Sequence, residues 1–250
     1  MKMLYKANDY SNEAYIGSQF RRRRFQFFTQ KLKNLKKPVK LLDIGGTVDF
    51  WLNQNFQTLG DIAITIVNLR VEGPGHPAIK VIAGDACHLD QFRDNEFDIV
   101  FSNSLIEHLF TLDNQRKMAK EAMRVAKHYF IQTPNKYFPI EPHFKFPLFQ
   151  FLPDGLKLFL QTKTSIINGV RYEKEYAEAI IKEIRLLSRA ELSNLFPNSN
   201  LYVERFLGLS KSFIVHNLPD TPNTMAPDGP ARPASHTLTA RPDSQISMAS

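Results

Sequence analysis

Short apolar runs alternate with amphipathic stretches through the middle of the chain. The apolar runs are rich in β-branched residues and predict strands; they lie at residues 39–44, 62–69, 78–84, 97–103 and 128–134. Helical periodicity predicts helices between them at residues 49–56 and 113–127, the second with Asp113 as its N-cap. Strands that alternate with helices predict a doubly wound α/β fold, in which helices cover both faces of a parallel sheet.

The N-terminal part carries a different pattern. Residues 14–36 predict a helix that ends before Pro38, with apolar residues on one face and arginines turned outward. Its apolar positions are Ile16, Phe20, Phe27, Phe28, Leu32 and Leu35. We expect this helix to dock on the core of the α/β domain.

The C-terminal half departs from the alternation. Residues 134–187, rich in Pro and Phe and then charged and helical, predict an inserted lid or substrate wall. A helix at residues 188–196 follows. The strands predicted at 201–208 and 211–217 are separated by only two residues and should form an antiparallel hairpin. Residues 1–218 are thus predicted as one domain, and the composition of residues 219–250, mainly Pro, Ser, Thr and Ala, predicts a disordered tail.

The cysteine content and the apolar stretches of the chain indicate the compartment of the protein. The single cysteine of the 250 residues, Cys87, excludes an intramolecular disulfide and fits a reducing compartment. The N-terminus has no apolar run of a signal peptide, and no stretch supplies the roughly 20 apolar residues that span a bilayer. We therefore predict a cytoplasmic protein.

The net charge of +7 is concentrated near the N-terminus. Nine bases and no acid lie between Ala14 and Leu42. Such a run most often forms a solvated helix face, but it also fits contact with nucleic acid, an anionic membrane surface or an anionic substrate.

Polar residues and glycines cluster where the predicted strands end. In order along the chain these are Asp43, Gly45 and Gly46; Asn68; Asp85 and Ala86; Ser102, Asn103, Ser104, Glu107 and His108; and Thr133, Pro134 and Asn135. Ligands of doubly wound sheets bind beyond the carboxyl ends of the strands. Glycine there lets the backbone approach a ligand, and Asn68 is placed to hydrogen-bond a ribose. Singly, each residue also fits a cap, a turn or core packing, but their order predicts one pocket.

This set of residues resembles the class I S-adenosylmethionine-dependent methyltransferases, in particular the methyltransferase type 11 group. The resemblance runs from Val39 to Asn217, and the run QTPNKYFPIEPHFKFPLFQFLP is typical of an uncharacterised bacterial subgroup. It implies a Rossmann-like, mostly parallel sheet with a reversed last strand, and S-adenosylmethionine as the cofactor.

The resemblance also implies which residues bind the cofactor. The glycine-rich first loop corresponds to Asp43, Gly45 and Gly46, with Thr47 and Asp49 in place of later glycines. The ribose position falls on Asn68 with Leu69, and adenosine recognition on Asp85 and Ala86. The methionine end and the methyl-transfer site correspond to SNSLIEHL, which begins with Ser102, Asn103 and Ser104.

Four other interpretations of the sequence compete with the methyltransferase interpretation. An NAD enzyme is disfavoured, because the full GxGxxG is absent and Asp49 near the helix start would repel a pyrophosphate. Nucleic-acid modification or binding would use the stretch FRRRRFQFF. A metal site is known from methyltransferases with a Glu-x-x-Glu-His motif; here Ser104 replaces the first Glu and leaves Glu107, His108 and His143, so no metal is predicted. A non-catalytic version of the fold is the fourth interpretation.

The predicted function is methyl transfer to a small-molecule, sugar or lipid-linked acceptor. The aromatic residues of the 134–187 segment favour an apolar, aromatic or sugar-ring acceptor, and they fit packing of the insertion equally well. His108 and His143 are the candidate bases at neutral pH, and Glu107 is expected to shape the cleft.

Overall fold

The computed structural model describes residues 15–71 and 73–220. These residues include nearly all of the first of two compact units, Met1–Pro219. The predicted disordered tail lies, from residue 221 onward, outside the described residues. Within the described part of the chain, no helix is long and apolar enough to cross a membrane.

A seven-stranded sheet forms the centre of the fold. Its strands are β1 (Val39–Ile44), β2 (Ile62–Asn68), β3 (Ile79–Ala83), β4 (Phe97–Asn103), β5 (Ala126–Pro134), β6 (Asn200–Phe206) and β7 (Leu209–His216). They lie in the order β3-β2-β1-β4-β5-β7-β6. The first five are parallel, and β7 runs antiparallel to both β5 and β6. The predicted doubly wound sheet with a reversed last strand is confirmed, although the hairpin turn is Leu207–Gly208 and not Leu209–Ser210.

Within the described residues, six α-helices accompany the sheet. They are α1 (Tyr15–Leu32), α2 (Val48–Asn53), α3 (Leu112–Val125), α4 (Asp154–Lys163), α5 (Lys174–Glu183) and α6 (Arg189–Leu195). The helix predicted at 49–56 is the shorter α2, followed by a 3-10 turn. The prediction of Asp113 as the N-cap of α3 is wrong: Thr111 caps the helix, and its hydroxyl accepts a hydrogen bond from the Asn114 N–H. Asp113 lies in the first turn, where a negative charge favours the helix dipole.

Apolar side chains cover both faces of the sheet. On one face, Phe28 of α1 packs with Trp51, Phe101 and Phe130. On the other, Met118 and Ala122 of α3 join a cluster that also holds Phe196, after α6, and Val215. The alternation of β-strand side chains between two buried faces explains why the central strands are almost continuously apolar.

One arginine of α1 departs from the predicted outward orientation. Arg24 is only 8% exposed. Its guanidinium donates two hydrogen bonds to the Glu204 carboxylate, at 3.1 and 2.6 Å, and a third to Asn103 Oδ1 at 2.6 Å. The pairing links α1 to β6 and to the end of β4, whereas Arg22 and Arg23 are exposed as predicted.

Residues 134–187, which we call the lid, leave and rejoin the sheet at neighbouring points. The Lys136 N–H donates to the Leu187 carbonyl at 3.0 Å. Between these points lie α4, α5 and a small apolar core formed by Phe144, Phe149, Ile167 and Ile180. The lid therefore has a packed interior of its own beside the sheet.

Candidate active site

A cleft opens at the carboxyl ends of β1, β2 and β3. Its walls are formed by Ile44, Gly45, Val67, Asn68, Leu69, Gly84, Asp85, Ala86, Leu105, His108, Leu109 and Phe110. The cleft thus brings together residues predicted from three successive strand ends, at the place where doubly wound folds bind ligands.

The two glycines of the first loop are required by neighbouring side chains. Gly45 has φ +82°, and a Cβ atom there would lie 2.7 Å from Leu105 Cδ1. A Cβ atom on Gly46 would lie 1.7 Å from Asp43 Oδ2. The protein's own packing against Asp43 is therefore sufficient to explain Gly46, and its predicted contact with a cofactor stays a prediction.

Asp43 supports this loop from behind the cleft. Its side chain is 1% exposed, and Oδ2 accepts a hydrogen bond from Trp51 Nε1 at 2.7 Å. Burial raises the pKa of Asp43 to about 7, against the opposing effect of the Trp51 hydrogen bond. Among the described residues, its second oxygen, Oδ1, has no hydrogen-bond partner. Asp43 is not part of the cleft wall, and its predicted contact with a cofactor stays a prediction.

Local hydrogen bonds occupy the next two predicted positions. Thr47 is the N-cap of α2, and its hydroxyl accepts from the Phe50 N–H. This role explains why a threonine stands where the resemblance expects a glycine. Asn68 Oδ1 accepts from the Leu69 N–H at 2.9 Å, while its Nδ2 donates to the Gly46 carbonyl at 3.4 Å. The Asn68 amide thus joins the ends of β1 and β2 and also lines the cleft.

Asp85 combines a turn role with a position in the cleft wall. Its Oδ1 accepts a hydrogen bond from the Cys87 N–H at 2.9 Å, and its carbonyl accepts from the His88 N–H. Burial and the nearby Asp85 charge raise the pKa of the Cys87 thiol to about 12, so the thiol stays protonated at neutral pH. Cys87 is therefore not a candidate nucleophile.

The three polar residues at the end of β4 do not line the cleft. Ser102 is fully buried, and its hydroxyl donates to the Ile44 carbonyl at 2.9 Å. Asn103 accepts from Arg24, and Ser104 Oγ bonds Gln132 Oε1 at 2.9 Å. These bonds hold β4 to its surroundings, and the predicted contact of the three residues with a cofactor stays a prediction.

A buried polar cluster lies at one end of the cleft. Its members are Glu107, His108, Glu141, His143 and Glu183, all less than a tenth exposed. His108 and His143 face each other, with their Nε2 atoms 3.1 Å apart. On the far side of each ring, His108 Nδ1 bonds Glu183 Oε1 at 3.0 Å, and His143 Nδ1 bonds Glu141 Oε1. We call these five residues the His-Glu cluster.

Three distant segments supply the His-Glu cluster. Glu107 and His108 come from the 3-10 turn after β4, Glu141 and His143 from the start of the lid, and Glu183 from the end of α5. Burial lowers the pKa of His143, but the charges of Glu141, Glu107 and Glu183 outweigh it, so that the pKa is raised overall. Glu141 and Glu183 were not predicted from the sequence. For Glu183, the sequence offers one indication, which is an acid on the buried face of the amphipathic helix α5.

Glu107 is the member of the cluster that is least satisfied. Its Oε2 accepts from Thr133 Oγ1 at 3.0 Å. Its Oε1 is buried and has no hydrogen-bond partner among the described residues. A buried carboxylate oxygen without a partner is costly, so it marks a place where a cation or a donor is expected.

Part of the chain matches a known protein family. Residues 58–129 match the family described as "Methyltransferase domain". An uncharacterised protein of Mycobacterium tuberculosis, found in two strains, is 30% identical over 95 residues. That match covers 38% of this chain and 29% of the relative, so the chain spans less than a third of the curated relative it matches.

Solved structures with a similar fold include methyltransferases. A putative methyltransferase of Anabaena variabilis from an antibiotic biosynthesis pathway is 16% identical, with a TM-score of 0.48, over 74% of this chain and 64% of that chain. A SAM-dependent methyltransferase of Aquifex aeolicus is 15% identical, with a TM-score of 0.45, over 77% and 87%. Residues 58–129 match the methyltransferase-domain family. The strand order of the sheet is that of the class I fold of the S-adenosylmethionine-dependent methyltransferases.

Proposed function

We propose that this protein transfers a methyl group from S-adenosylmethionine to a small-molecule, sugar or lipid-linked acceptor. The observation that carries the proposal is the position of the cleft, at the ends of three parallel strands of a methyltransferase fold. Gly45, Asn68 and Asp85 are placed in its wall to contact the nucleoside part of the cofactor. We expect the acceptor to bind beside the His-Glu cluster and the lid.

Methyl transfer requires mainly that the protein positions the acceptor and the methyl group of the cofactor correctly. A nucleophilic atom of the acceptor forms a bond to the methyl carbon as the carbon–sulfur bond breaks, and the electron pair of that bond returns to sulfur. The products are methylated acceptor and S-adenosylhomocysteine. An acceptor hydroxyl loses its proton in the reaction, and an acceptor ammonium group must lose a proton beforehand so that its nitrogen has a free electron pair. The protein must hold nucleophile and methyl about 3–3.5 Å apart and in line.

His108 connects the cleft with the His-Glu cluster, because it belongs to both. It is therefore the cluster member nearest to a bound acceptor. The predicted roles of His108, His143 and Glu107 in activating the acceptor remain part of this proposal, with His108 as the contacting group.

The lid supports an acceptor with apolar surface. Phe144 and Phe149 pack inside the lid, as expected for structural aromatics. Tyr137, Phe151 and Phe159 are instead exposed, and Tyr137 stacks on Phe151 with ring centroids 6.1 Å apart. Exposed aromatic side chains of this kind favour sugar rings, aromatic rings or lipid chains as partners.

The N-terminal helix gives little support to the nucleic-acid alternative. Phe27 stacks on Tyr202 with centroids 4.5 Å apart, and Phe28 packs on Phe101 and Phe130. These rings are engaged in the fold and are not available for base stacking. An RNA substrate would therefore depend on exposed arginines such as Arg22 and Arg23, which contact phosphates without reading sequence.

The test is formation of S-adenosylhomocysteine by the full chain with three separate acceptor pools: polar small molecules, extracted lipids and RNA. We expect turnover with one of the first two pools and none with RNA. Turnover with RNA alone would replace the proposed acceptor class. Binding of S-adenosylmethionine without turnover in any pool would favour a non-catalytic fold.

A further inference from the structure

We propose that the His-Glu cluster is a binding site for a divalent cation of the Zn²⁺ type, held by His108, His143 and Glu107. One ligand atom of each of these three residues lies within 4.8 Å of the other two, and all three residues are buried. The sequence alone predicts no metal here, because Ser104 replaces the first Glu of the Glu-x-x-Glu-His motif.

The hydrogen bonds of the two imidazoles set their orientation for metal binding. An ionised carboxylate can only accept, so Glu183 and Glu141 hold the ring protons on the Nδ1 atoms of His108 and His143. In the neutral rings, both Nε2 lone pairs then point toward one place. Histidine ligands of zinc show the same pattern, with the second ring nitrogen bound to a carboxylate.

The distances fit a shared ion. Two nitrogens 3.1 Å apart, each about 2.0–2.1 Å from one zinc ion, subtend an angle of about 100° at that ion, which is close to tetrahedral. The ligand atoms of the three residues lie within 4.8 Å of one another, so the Glu107 carboxylate would move toward the imidazoles to reach the same ion. Glu107 Oε1, which is buried and has no partner among the described residues, would gain a cation as its partner in this way.

The donor set selects the class of cation. Two imidazole nitrogens with one carboxylate favour Zn²⁺, Co²⁺ or Fe²⁺, whereas Mg²⁺ and Ca²⁺ prefer oxygen ligands throughout. Three protein ligands leave a position open on the ion. Because His108 also lines the cleft, the ion would lie beside the cleft.

The role of the ion in catalysis rests on the proposed function, whereas its binding does not. An acceptor hydroxyl bound at the open position would lose its proton more readily, since a zinc ion lowers the pKa of a bound oxygen ligand. Ligation uses the two nitrogens that a histidine base would need. With the ion bound, His108 and His143 would hold it and could not act as bases, so the histidine-base role proposed above applies to the metal-free protein.

The experiment measures metal binding by the full chain without S-adenosylmethionine, so its outcome is independent of the methyltransferase proposal. Chelator-treated protein is titrated with Co²⁺, followed by visible absorption, and with Zn²⁺ by calorimetry; Mg²⁺ serves as the comparison cation. We expect one Co²⁺ or Zn²⁺ per chain and no comparable binding of Mg²⁺. Absence of stoichiometric Co²⁺ and Zn²⁺ binding to folded protein would overturn the proposal.

Variants locate the site. His143→Ala and Glu107→Gln should weaken Co²⁺ binding at least about 100-fold, and Glu183→Gln, in a positioning role, about 10–100-fold. The matched control is His88→Ala, because His88 is exposed and is not a member of the cluster, and it should bind as the parent does. Unchanged affinity in His143→Ala would refute the site. If the variants do not fold, X-ray absorption of the parent's Co²⁺ complex decides: two imidazole ligands support the site, and none contradicts it.

Discussion

Asp43, Gly46 and Trp51 act as one packing unit beneath the first loop. The carboxylate accepts from the indole N–H and occupies the space that a side chain at position 46 would need. The loop shape that exposes Gly45 to the cleft thus depends on a buried acid. This gives the acid and the second glycine a structural reason that is separate from any ligand.

Gly46→Ala should destabilise the fold. The added methyl group would overlap the Asp43 carboxylate and force it away from Trp51, at a cost of about 1–3 kcal/mol in the free energy of unfolding. Urea denaturation measures this change. Gly75→Ala is the matched control, because a Cβ atom there meets nothing within 4 Å. Equal stability of the two variants would show that Asp43 has room to move.

Asp43→Asn should change how stability depends on pH. The pKa of Asp43 is raised from 3.8 to about 7 in the fold, so the folded state keeps a proton that the unfolded state has lost. Its contribution to stability is therefore complete below pH 3.8 and is lost as the pH rises toward 7, by at most about 1.4 kcal/mol per pH unit. The asparagine variant, which retains an acceptor for Trp51, should lack this decline.

Unfolding in urea at several pH values between 4 and 8 tests this prediction. The difference in stability between variant and parent should grow with pH in favour of the variant, and should level off above about pH 7. A difference that stays constant across the range would contradict the raised pKa.

The helix α1 is attached to the sheet by charge as well as by aromatic packing. The Arg24 guanidinium is bound by both oxygens of Glu204, which also bonds Ser212. Burial favours protonation of Glu204, but the Arg24 charge and the hydrogen bonds hold the pKa of that carboxyl below its usual value. An ion pair with so little exposure is costly to break on one side only.

Arg24→Met should destabilise the protein by about 3–5 kcal/mol, because it leaves the Glu204 charge buried without its partner. The double variant Arg24→Met/Glu204→Leu should lose less, since neither charge remains. Chemical denaturation of the two single variants and the double variant measures the coupling. Arg22→Met, at an exposed position of the same helix, should change stability by no more than about 0.5 kcal/mol. Additive losses at positions 24 and 204 would contradict the coupling.

At the scale of the whole molecule, the sequence pattern predicts the strands that are buried on both faces. The central strands β1, β2, β4 and β5 are buried by helices on both sides, so their apolar runs were readable directly. The residue pattern also predicted β7 and its antiparallel hairpin with β6, and the family resemblance added that β7 is the reversed last strand of the sheet. The cleft residues Asn68 and Asp85 followed from strand ends, because parallel strands bring their carboxyl ends together.

The sequence predicted Glu107, His108 and His143 as candidate site residues, but not the carboxylate partners of the two histidines or the orientation of Arg24. Glu183 is 75 residues from His108 in the chain, so no local spacing predicts their hydrogen bond. Helical periodicity predicts that Arg24, which stands in a run of four arginines, faces solvent. A buried charge is stable only with a specific distant partner, and that partner cannot be identified from helical spacing.

The central claim, that the cleft binds S-adenosylmethionine, is tested most directly by calorimetric titration of the full chain with this compound. The account predicts saturable binding at one site. It also predicts binding about tenfold or more weaker in Asp85→Asn, which keeps the turn bond to Cys87 but loses a charged acceptor in the cleft wall. The exposed Asp90→Asn is the control and should bind as the parent does. No heat of binding together with no thermal stabilisation would contradict the account.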